Sequence, residues 1–284
     1  MQIVTDRAAD LAPEQLKDLD IHFASLRIEL EGKSYLSGVD LQPLDFYRML
    51  NATESFPTTS QPSAGEFAAL YRQLAKTDPD ILSIHVSSGL SGTVDSARAG
   101  AQMTPEAHVT IYDSLTLSCP LGWQVEAAAQ GLKAGFSLKA ILQRLDEIRP
   151  QVSGVFTLPI LKYLIHGGRI SHMRALIASL LNIKPIITVD HVSGKYVSIG
   201  QEVTFKRAIH KMADLITNTF PEGSALRIQL LHGNNLEGVE ILRQRLDQLF
   251  KCQYLPTMPI APVLGAHTGP GLVGLSFGPA NLWG

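Results

Sequence analysis

Two short segments rich in hydroxyl groups carry the residues best suited to bind an anion. Residues 57–63 read Pro-Thr-Thr-Ser-Gln-Pro-Ser, and residues 87–93 read Ser-Ser-Gly-Leu-Ser-Gly-Thr. Hydroxyls beside the N–H groups of a helix start can hold an anion, and glycines let the backbone approach it closely. Neither segment contains Lys or Arg, so all donors would be neutral. The same hydroxyls are also common helix caps. The pattern therefore indicates either an anion site or two ordinary capping loops.

Two glycine-rich segments surround further donors. Gly167 and Gly168 precede Arg169, and the paired glycines predict the end of a helix. Residues 265–271 read Gly-Ala-His-Thr-Gly-Pro-Gly and predict a tight turn around His267 between apolar strands. Arginine and histidine side chains both donate to carboxylates or phosphates. The glycines could act simply as a helix stop, and a histidine in such a turn is more often structural than a ligand.

Common catalytic and metal patterns are absent from the sequence. No phosphate-binding loop and no dinucleotide fingerprint follows a strand, and residues 89–93 lack the second glycine of a nucleophile elbow. His166 and His172 have no carboxylate neighbour, and Cys119 and Cys252 lie far apart. The sequence therefore offers no recognisable pattern for catalytic residues, a metal or a cofactor, and we expect none of the three.

The N-terminal half alternates strand and helix patterns, which predicts βαβ units and a parallel, Rossmann-like sheet. Ser63 and Glu66 form a capping box before one helix, and Ser137 caps another. Ligands bind at the carboxyl ends of such strands, where residues 87–93 would lie. The predicted strands are Ile3-Val4, Phe23–Leu30, Ile81–Val86 and Val109–Tyr112.

The C-terminal half predicts a mixed α+β domain. We expect an α/β protein with an N-terminal domain over 1–155 that carries the hydroxyl loops, and a second domain over 156–284. The predicted elements of the second domain are a hairpin (Ile183–Val189 and Tyr196–Ile199), helices (Thr204–Phe220 and Leu236–Phe250), and strands (Leu226–Leu231, near Val263, and Leu272–Phe277).

Composition narrows the class of protein. The 284 residues include 24 Lys+Arg and 26 Asp+Glu, giving a net charge of −2, and 45% are apolar. These values exclude a disordered tail and a disulfide scaffold, and argue against a general nucleic-acid binder. The longest apolar stretch, Ala175–Val189, is interrupted by Asn182, Lys184 and Pro185. We therefore expect no integral membrane segment, and without a signal-like start we expect a cytoplasmic protein.

Charge is unevenly distributed between the halves. Residues 1–150 carry a net charge of −7, whereas residues 151–284 carry +5. The segment from Lys162 to Lys211 contains eight basic residues but only two acidic ones, Asp190 and Glu202. This basic stretch indicates either a solvated surface or a docking surface for an acidic partner.

The order of these segments along the chain resembles the DegV family. Any one segment is weakly specific, but the segments in this order are together specific. The resemblance rests on Ile3-Val4-Thr5-Asp6 with Ala9-Asp10-Leu11, on residues 58–63 and 87–93, on Leu161–Leu164 with Gly167–Ile170, on Lys184-Pro185-Ile186, and on His267-Thr268-Gly269-Pro270-Gly271.

The resemblance implies a two-domain fold that buries a long-chain fatty acid, such as palmitate, between its domains, with the second domain closing the acyl-chain pocket. It implies no catalysis of its own and, in some members, a partner fatty-acid kinase that phosphorylates the carboxyl group. Thr59 and Ser91 are implied to hold the carboxylate. Ser60, Gly92, Thr93 and His267 are implied as further head-group neighbours, and Arg169 as a candidate for kinase docking or site closure. The basic stretch adds Arg174 as a second candidate for the same role.

One departure from the family pattern affects the first strand. Arg7 and Ala8 stand where the family usually has hydroxyl residues, so donors near the carboxyl end of that strand are lost.

Two other functions stay open. One is an acyl or phosphoryl transferase with Ser91 as nucleophile and His267 as base. The other is a regulatory module that senses the lipid.

Overall fold

The structure is a computed structural model that describes residues 1–173 and 183–283. The strands, in chain order, are β1 (Gln2–Asp6), β2 (Ile21–Ala24), β3 (Arg27–Leu30), β4 (Lys33–Leu36), β5 (Thr58–Ser60), β6 (Asp80–His85), β7 (His108–Asp113), β8 (Ser153–Thr157), β9 (Lys184–Val189), β10 (Tyr196–Glu202), β11 (Ala225–His232), β12 (Lys251–Tyr254), β13 (Met258–Pro259) and β14 (Val273–Pro279).

The helices of the described residues are α1 (Pro13–Leu16), α2 (Pro43–Ala52), α3 (Ala64–Ala75), α4 (Thr93–Gln102), α5 (Ser118–Lys133), α6 (Leu138–Ile148), α7 (Lys162–His166), α8 (Phe205–Ile216), α9 (Leu236–Leu249) and α10 (Pro262–Thr268). Short 3₁₀ turns cover Arg149–Gln151 and Ala280–Trp283. None of the helices in the described part of the chain is long and apolar enough to cross a bilayer.

The described chain packs into two compact units that exchange short segments. The first unit comprises Met1–Leu41, Thr59–Pro150 and Asp190–Lys195. The second comprises Gln42–Thr58, Gln151–Val189 and Tyr196–Gly284. A single boundary near residue 155 would place Gln42–Thr58 in the first unit and Asp190–Lys195 in the second, but each segment packs with the other unit. The functional division at residue 155 stays a prediction.

The first unit is built on a parallel sheet with strand order β2-β1-β6-β7. Its core includes Val4, Phe67, Tyr71 and Ile81, which are at most 1% exposed. The predicted capping box is confirmed, because the Ser63 hydroxyl accepts from the Glu66 N–H at 3.2 Å. Ser137 caps α6 as predicted, accepting from Ala140 N–H at 3.3 Å.

The predicted strand over Phe23–Leu30 is wrong in its continuity. The chain turns after Ala24, so that β2 joins the parallel sheet and β3 joins a separate sheet of order β4-β3-β5. An apolar run shows that a segment is buried, but it does not show which sheet each part of it enters.

The second unit contains a mixed sheet of order β10-β9-β8-β14-β11-β12, with β13 also paired to β11. Strands β9 and β10 are antiparallel, which confirms the predicted hairpin. Helices α8 and α9 pack over this sheet, and Met212, Leu242 and Leu275 are buried in its core. The parallel sheet and this mixed sheet together confirm the predicted fold class.

The predicted strand near Val263 is wrong. Val263 lies in α10, which begins at Pro262. A proline at the first helical position has its φ preset for the helix and lacks only an N–H that would be unpaired there anyway. A short apolar run fits both a strand and a helix. Pro262 was the sequence signal that could have distinguished them.

Candidate functional site

The loop that follows β6 is tightly folded. The N–H groups of Leu90 and Ser91 each donate to the Ser87 carbonyl at 3.0 Å. The Ser87 N–H donates to the carbonyl of Thr116 at 2.8 Å, which ties this loop to the one after β7. Leu115 in that neighbouring loop has φ +52°. Backbone strain of this kind concentrates at functional sites.

Ser91 and Thr93 form a hydroxyl pair at the start of α4. Their hydroxyl oxygens are 2.8 Å apart, and the Thr93 N–H donates to Ser91 Oγ at 3.3 Å. Thr93 is fully buried, whereas Ser91 is half-buried. If the Thr93 hydroxyl donates to Ser91, the Ser91 hydroxyl hydrogen can point to an external acceptor. The pair thus offers one neutral donor on a fixed oxygen.

The second hydroxyl loop approaches Gly92 through Gln61. A Cβ placed on Gly92 would lie 2.8 Å from Nε2 of Gln61, so the side chain of Gln61 lies directly on this glycine. The segment that contains Thr59 and Ser60 therefore reaches the loop that contains Ser91. The sequence indicated two separate loops and did not predict that Gln61 brings them together.

Strand alternation separates the hydroxyls of β5. Thr59 is half-buried, and its neighbours Thr58 and Ser60 are exposed. Successive side chains of a strand point to opposite faces. The alternation therefore favours Thr59 over Ser60 as the hydroxyl of this segment that could contribute to an anion site.

The turn of the β9–β10 hairpin packs on the Ser91 loop within the first unit. The Ser87 hydroxyl donates to the Gly194 carbonyl at 2.8 Å. A Cβ on Gly89 would stand 2.6 Å from the Ser193 carbonyl oxygen, so only glycine fits there without displacement. Gly194 has φ +63°, a conformation that side-chain-bearing residues rarely adopt.

A line of buried polar groups lies beneath these loops. Asp6 Oδ2 is 3.0 Å from His85 Nδ1, His85 Nε2 is 2.7 Å from Ser83 Oγ, and Ser83 Oγ is 2.9 Å from the Tyr71 hydroxyl. Its acid–imidazole–hydroxyl order is that of a hydrolytic triad, but all four residues are 0% exposed. A fully buried serine cannot attack a substrate. Polar residues inside the buried strand β6 were the sequence signal for this line.

In the second unit, His267 lies in the last turn of α10, so the predicted turn between two strands is wrong. The chain turns only after it, at Gly269 and Gly271, whose φ values are +71° and +87°. A Cβ on Gly167 would stand 2.3 Å from His267 Nδ1, so α7 ends directly against the imidazole. This contact explains a glycine at position 167 beyond its role as a helix stop.

Burial and neighbouring basic groups determine the charge of His267. Burial is the main cause that lowers its pKa to about 3, and the charges of Arg169 and His166 lower it further. The imidazole is therefore uncharged near neutral pH. Arg169 donates from Nη1 to the Gly167 carbonyl at 2.6 Å, and burial lowers the pKa of its guanidinium.

Comparison with known proteins decides the family. A sequence model of DegV, described as a family of uncharacterised proteins, matches residues 1–280. The chain belongs to the DegV family. It is 35% identical over 273 residues to a DegV domain-containing protein of Staphylococcus aureus (strain N315), covering 96% of each chain. It is 34% identical over 278 residues to one of Listeria monocytogenes, covering 97% of each.

Solved DegV structures share the fold over nearly the whole chain. A fatty-acid-binding DegV family protein from Thermus thermophilus is 30% identical, with a TM-score of 0.87 over 98% of this chain and 99% of that one. DegV of Bacillus subtilis, a fatty acid binding protein, is also 30% identical, with a TM-score of 0.86 over 98% of each chain.

The departure from the DegV pattern at the end of β1 has a structural counterpart. The Arg7 guanidinium lies over the Phe23 ring, 4.2 Å from its centroid, and burial lowers the pKa of Arg7. Within the described residues, the buried Nε of Arg7 has no hydrogen-bond partner. Ala8 is buried and uses its N–H to donate to Asp6 at 2.9 Å. At the C-terminal end of β1, the two hydroxyl side chains of the family pattern are therefore replaced by Arg7, which stacks on Phe23, and by Ala8, which forms only a backbone hydrogen bond.

Parts of the basic stretch are visible in the second unit. Lys162 lies over the rings of Phe56 and Tyr163, and Arg207 pairs with Glu202 at 3.0 Å. Arg174 lies outside the described residues.

Among residues 1–173 and 183–283, no group of three or more His, Cys, Asp or Glu side chains is placed to hold a metal ion.

Proposed function

We propose that this chain is a carrier that binds a long-chain fatty acid and needs no cofactor for this. The observation that carries the proposal is the full-length structural match, at 30% identity, to the fatty-acid-binding DegV proteins of Thermus thermophilus and Bacillus subtilis. The meeting of two cation-free hydroxyl loops through Gln61 and Gly92 supports it. Such loops suit a single carboxylate.

The proposed carboxylate ligands are the hydroxyls of Thr59 and Ser91, with Thr93 holding the Ser91 oxygen in place. Ser60 and Gly92 are their neighbours in the chain and are proposed as further head-group contacts. His267, whose imidazole is uncharged near neutral pH, is proposed as a further donor. A hydrogen bond to a charged group contributes about 1.5–3 kcal/mol. Neutral donors avoid burying a second ion with the carboxylate. An acyl chain adds about 0.8 kcal/mol for each CH₂ removed from water, so the chain supplies most of the affinity.

We further propose that the bound carboxyl group is presented to a separate fatty-acid kinase. Hydroxyl donors leave carboxylate oxygens more open to phosphoryl transfer than a bidentate arginine would. Arg169 and Arg174, with the rest of the basic stretch, are proposed as the docking surface for an acidic partner.

The transferase alternative is less well supported. Ser91 Oγ is hydrogen-bonded to Thr93, and no described contact gives it a base. The proposed base, His267, has a pKa of about 3, far below the value that suits a general base at neutral pH. A lipid-sensing module is compatible with the same binding site and differs by requiring ligand-dependent partner binding.

Titration of delipidated protein with palmitate tests the proposal. We expect saturable binding of one palmitate per chain, and much weaker binding of methyl palmitate, because the ester keeps the acyl chain but lacks the charged carboxylate. Equal affinity for acid and ester would contradict the head-group assignment. No saturable binding of any C14–C18 acid would contradict the carrier function.

A further inference from the structure

The Asp6 carboxylate accepts hydrogen bonds from the backbone of two loops at once. Its Oδ1 accepts from the N–H of Ala8 at 2.9 Å, just after β1. Its Oδ2 accepts from the N–H of Val86 at 2.9 Å, just after β6. The two strands are neighbours in the parallel sheet. The buried Asp6 side chain therefore links the C-terminal ends of β1 and β6 through hydrogen bonds.

His85 holds this carboxylate from the strand side. One set of donor and acceptor roles satisfies every group in the line: His85 Nδ1–H donates to Asp6, the Ser83 hydroxyl donates to His85 Nε2, and the Tyr71 hydroxyl donates to Ser83. The ring of Phe67 lies edge-on to His85, with centroids 5.1 Å apart. Asp6 therefore has little freedom to rotate away from the two N–H groups.

The position of Ser91 depends on this anchor through a short segment of backbone. Val86 is followed at once by Ser87, whose carbonyl accepts from Ser91 N–H at 3.0 Å. Four residues separate Val86 from Ser91, and the turn between them is closed by hydrogen bonds. A displacement of Val86 is thus transmitted to the hydroxyl pair of Ser91 and Thr93.

We propose that Asp6, oriented by His85, is the positioning residue of the candidate head-group site. Its carboxylate fixes the loop after β6 so that Ser91 presents its hydroxyl to an anion. The inference rests on the proposed function for the identity of the ligand, but the ordering of the loop does not depend on it.

Two substitutions at Asp6 and one control test the proposal. Asparagine has a single acceptor oxygen, so Asp6→Asn leaves one of the two loop N–H groups without an acceptor, and Asp6→Ala leaves both. Tyr71→Phe is the matched control, because it removes a buried hydrogen bond at the far end of the same line and leaves Asp6 intact. Each variant is examined by hydrogen exchange of the delipidated protein and by the dissociation rate of bound palmitate.

We expect Asp6→Ala to speed amide exchange over residues 86–92 and to raise the palmitate dissociation rate at least ten-fold. Asp6→Asn should do so by a smaller factor. Tyr71→Phe should lower the unfolding temperature while leaving both measurements within two-fold of the wild type. If Asp6→Ala does not fold, the comparison of Asp6→Asn with Tyr71→Phe decides.

Three results would overturn the positioning role. The first is unchanged exchange and dissociation in folded Asp6 variants. The second is an equal effect of Tyr71→Phe. The third is failure of both Asp6 variants to fold, which would assign Asp6 to the stability of the fold. Failure of the proposed function is distinguishable, because a wild type that binds no fatty acid still yields the exchange comparison.

Discussion

Gln61 lies directly on Gly92, so close that a Cβ on the glycine would stand 2.8 Å from the amide nitrogen of Gln61. This contact joins two segments that are about thirty residues apart in the sequence. It brings the strand that holds Thr59 to the loop that holds Ser91. The candidate head-group site of the first unit is built around this meeting point.

Removal of both proposed carboxylate ligands should weaken fatty-acid binding. Each lost hydrogen bond to a charged group is worth about 1.5–3 kcal/mol, so Thr59→Ala with Ser91→Ala should reduce palmitate affinity at least about a hundred-fold. Thr58→Ala is the control, since Thr58 is exposed on the opposite face of the same strand. Fluorescent fatty-acid displacement measures both. Unchanged affinity in the double variant would show that other groups hold the carboxylate.

Local patterns in the sequence predicted the elements that position the site. The capping box at Ser63 and the strand that ends before residue 87 follow from residues close together in the chain. Such signals act over a few residues and survive folding.

Contacts over long sequence distances could not be predicted in this way. Asp6 meets His85 across 79 positions, and Ser87 meets Gly194 across 107. No local pattern encodes these pairs, because they depend on which strands become neighbours and on where a hairpin turn packs. The misassignment at Val263 has a different cause, since a short apolar run fits both a strand and a helix.

Substitution of Gly194 should loosen the loop beneath Ser91. A Cβ there would stand 2.0 Å from Ser87 Oγ, in addition to the cost of a positive φ. Gly135 is the matched control, with φ +82° and no atom within 4 Å of its Cβ. In urea unfolding we expect Gly135→Ala to cost about 1 kcal/mol and Gly194→Ala about 2–3 kcal/mol. Equal costs would mean that the packing of this turn on Ser87 contributes no stability.

The stability of the protein should depend on pH through His267. Its pKa is about 3 when folded, against about 6.5 when unfolded. Between these values the unfolded state binds a proton that the folded state does not. Its contribution is therefore complete above pH 6.5 and is lost as the pH falls toward 3, with a slope of up to about 1.4 kcal/mol per pH unit.

His267→Gln removes this proton uptake. We expect its free energy of unfolding, measured in urea at pH 7, 5.5 and 4.5, to fall less steeply than that of the wild type. The other histidines are unchanged between the two proteins, so their titration cancels in the comparison. Identical slopes would mean that His267 is not held uncharged by its surroundings.

Charge reversal at Arg169 should separate kinase recognition from ligand binding. We expect Arg169→Glu to lower acyl-phosphate formation in the presence of a DegV-partner fatty-acid kinase while palmitate binding stays within about two-fold. Arg174→Glu should behave in the same way. Arg98→Glu is the control, because Arg98 is an exposed arginine of the first unit, outside the basic stretch. Acyl-phosphate formation at the wild-type rate by both variants would contradict the docking role.

Native mass spectrometry of the purified protein tests the central claim most directly. If the chain is a fatty-acid carrier, the folded protein should retain one C14–C18 acid per chain, seen as a mass excess that disappears on denaturation and is recovered as free acid in the lipid extract. Protein that carries no such acid, and gains none after incubation with palmitate, would contradict the account.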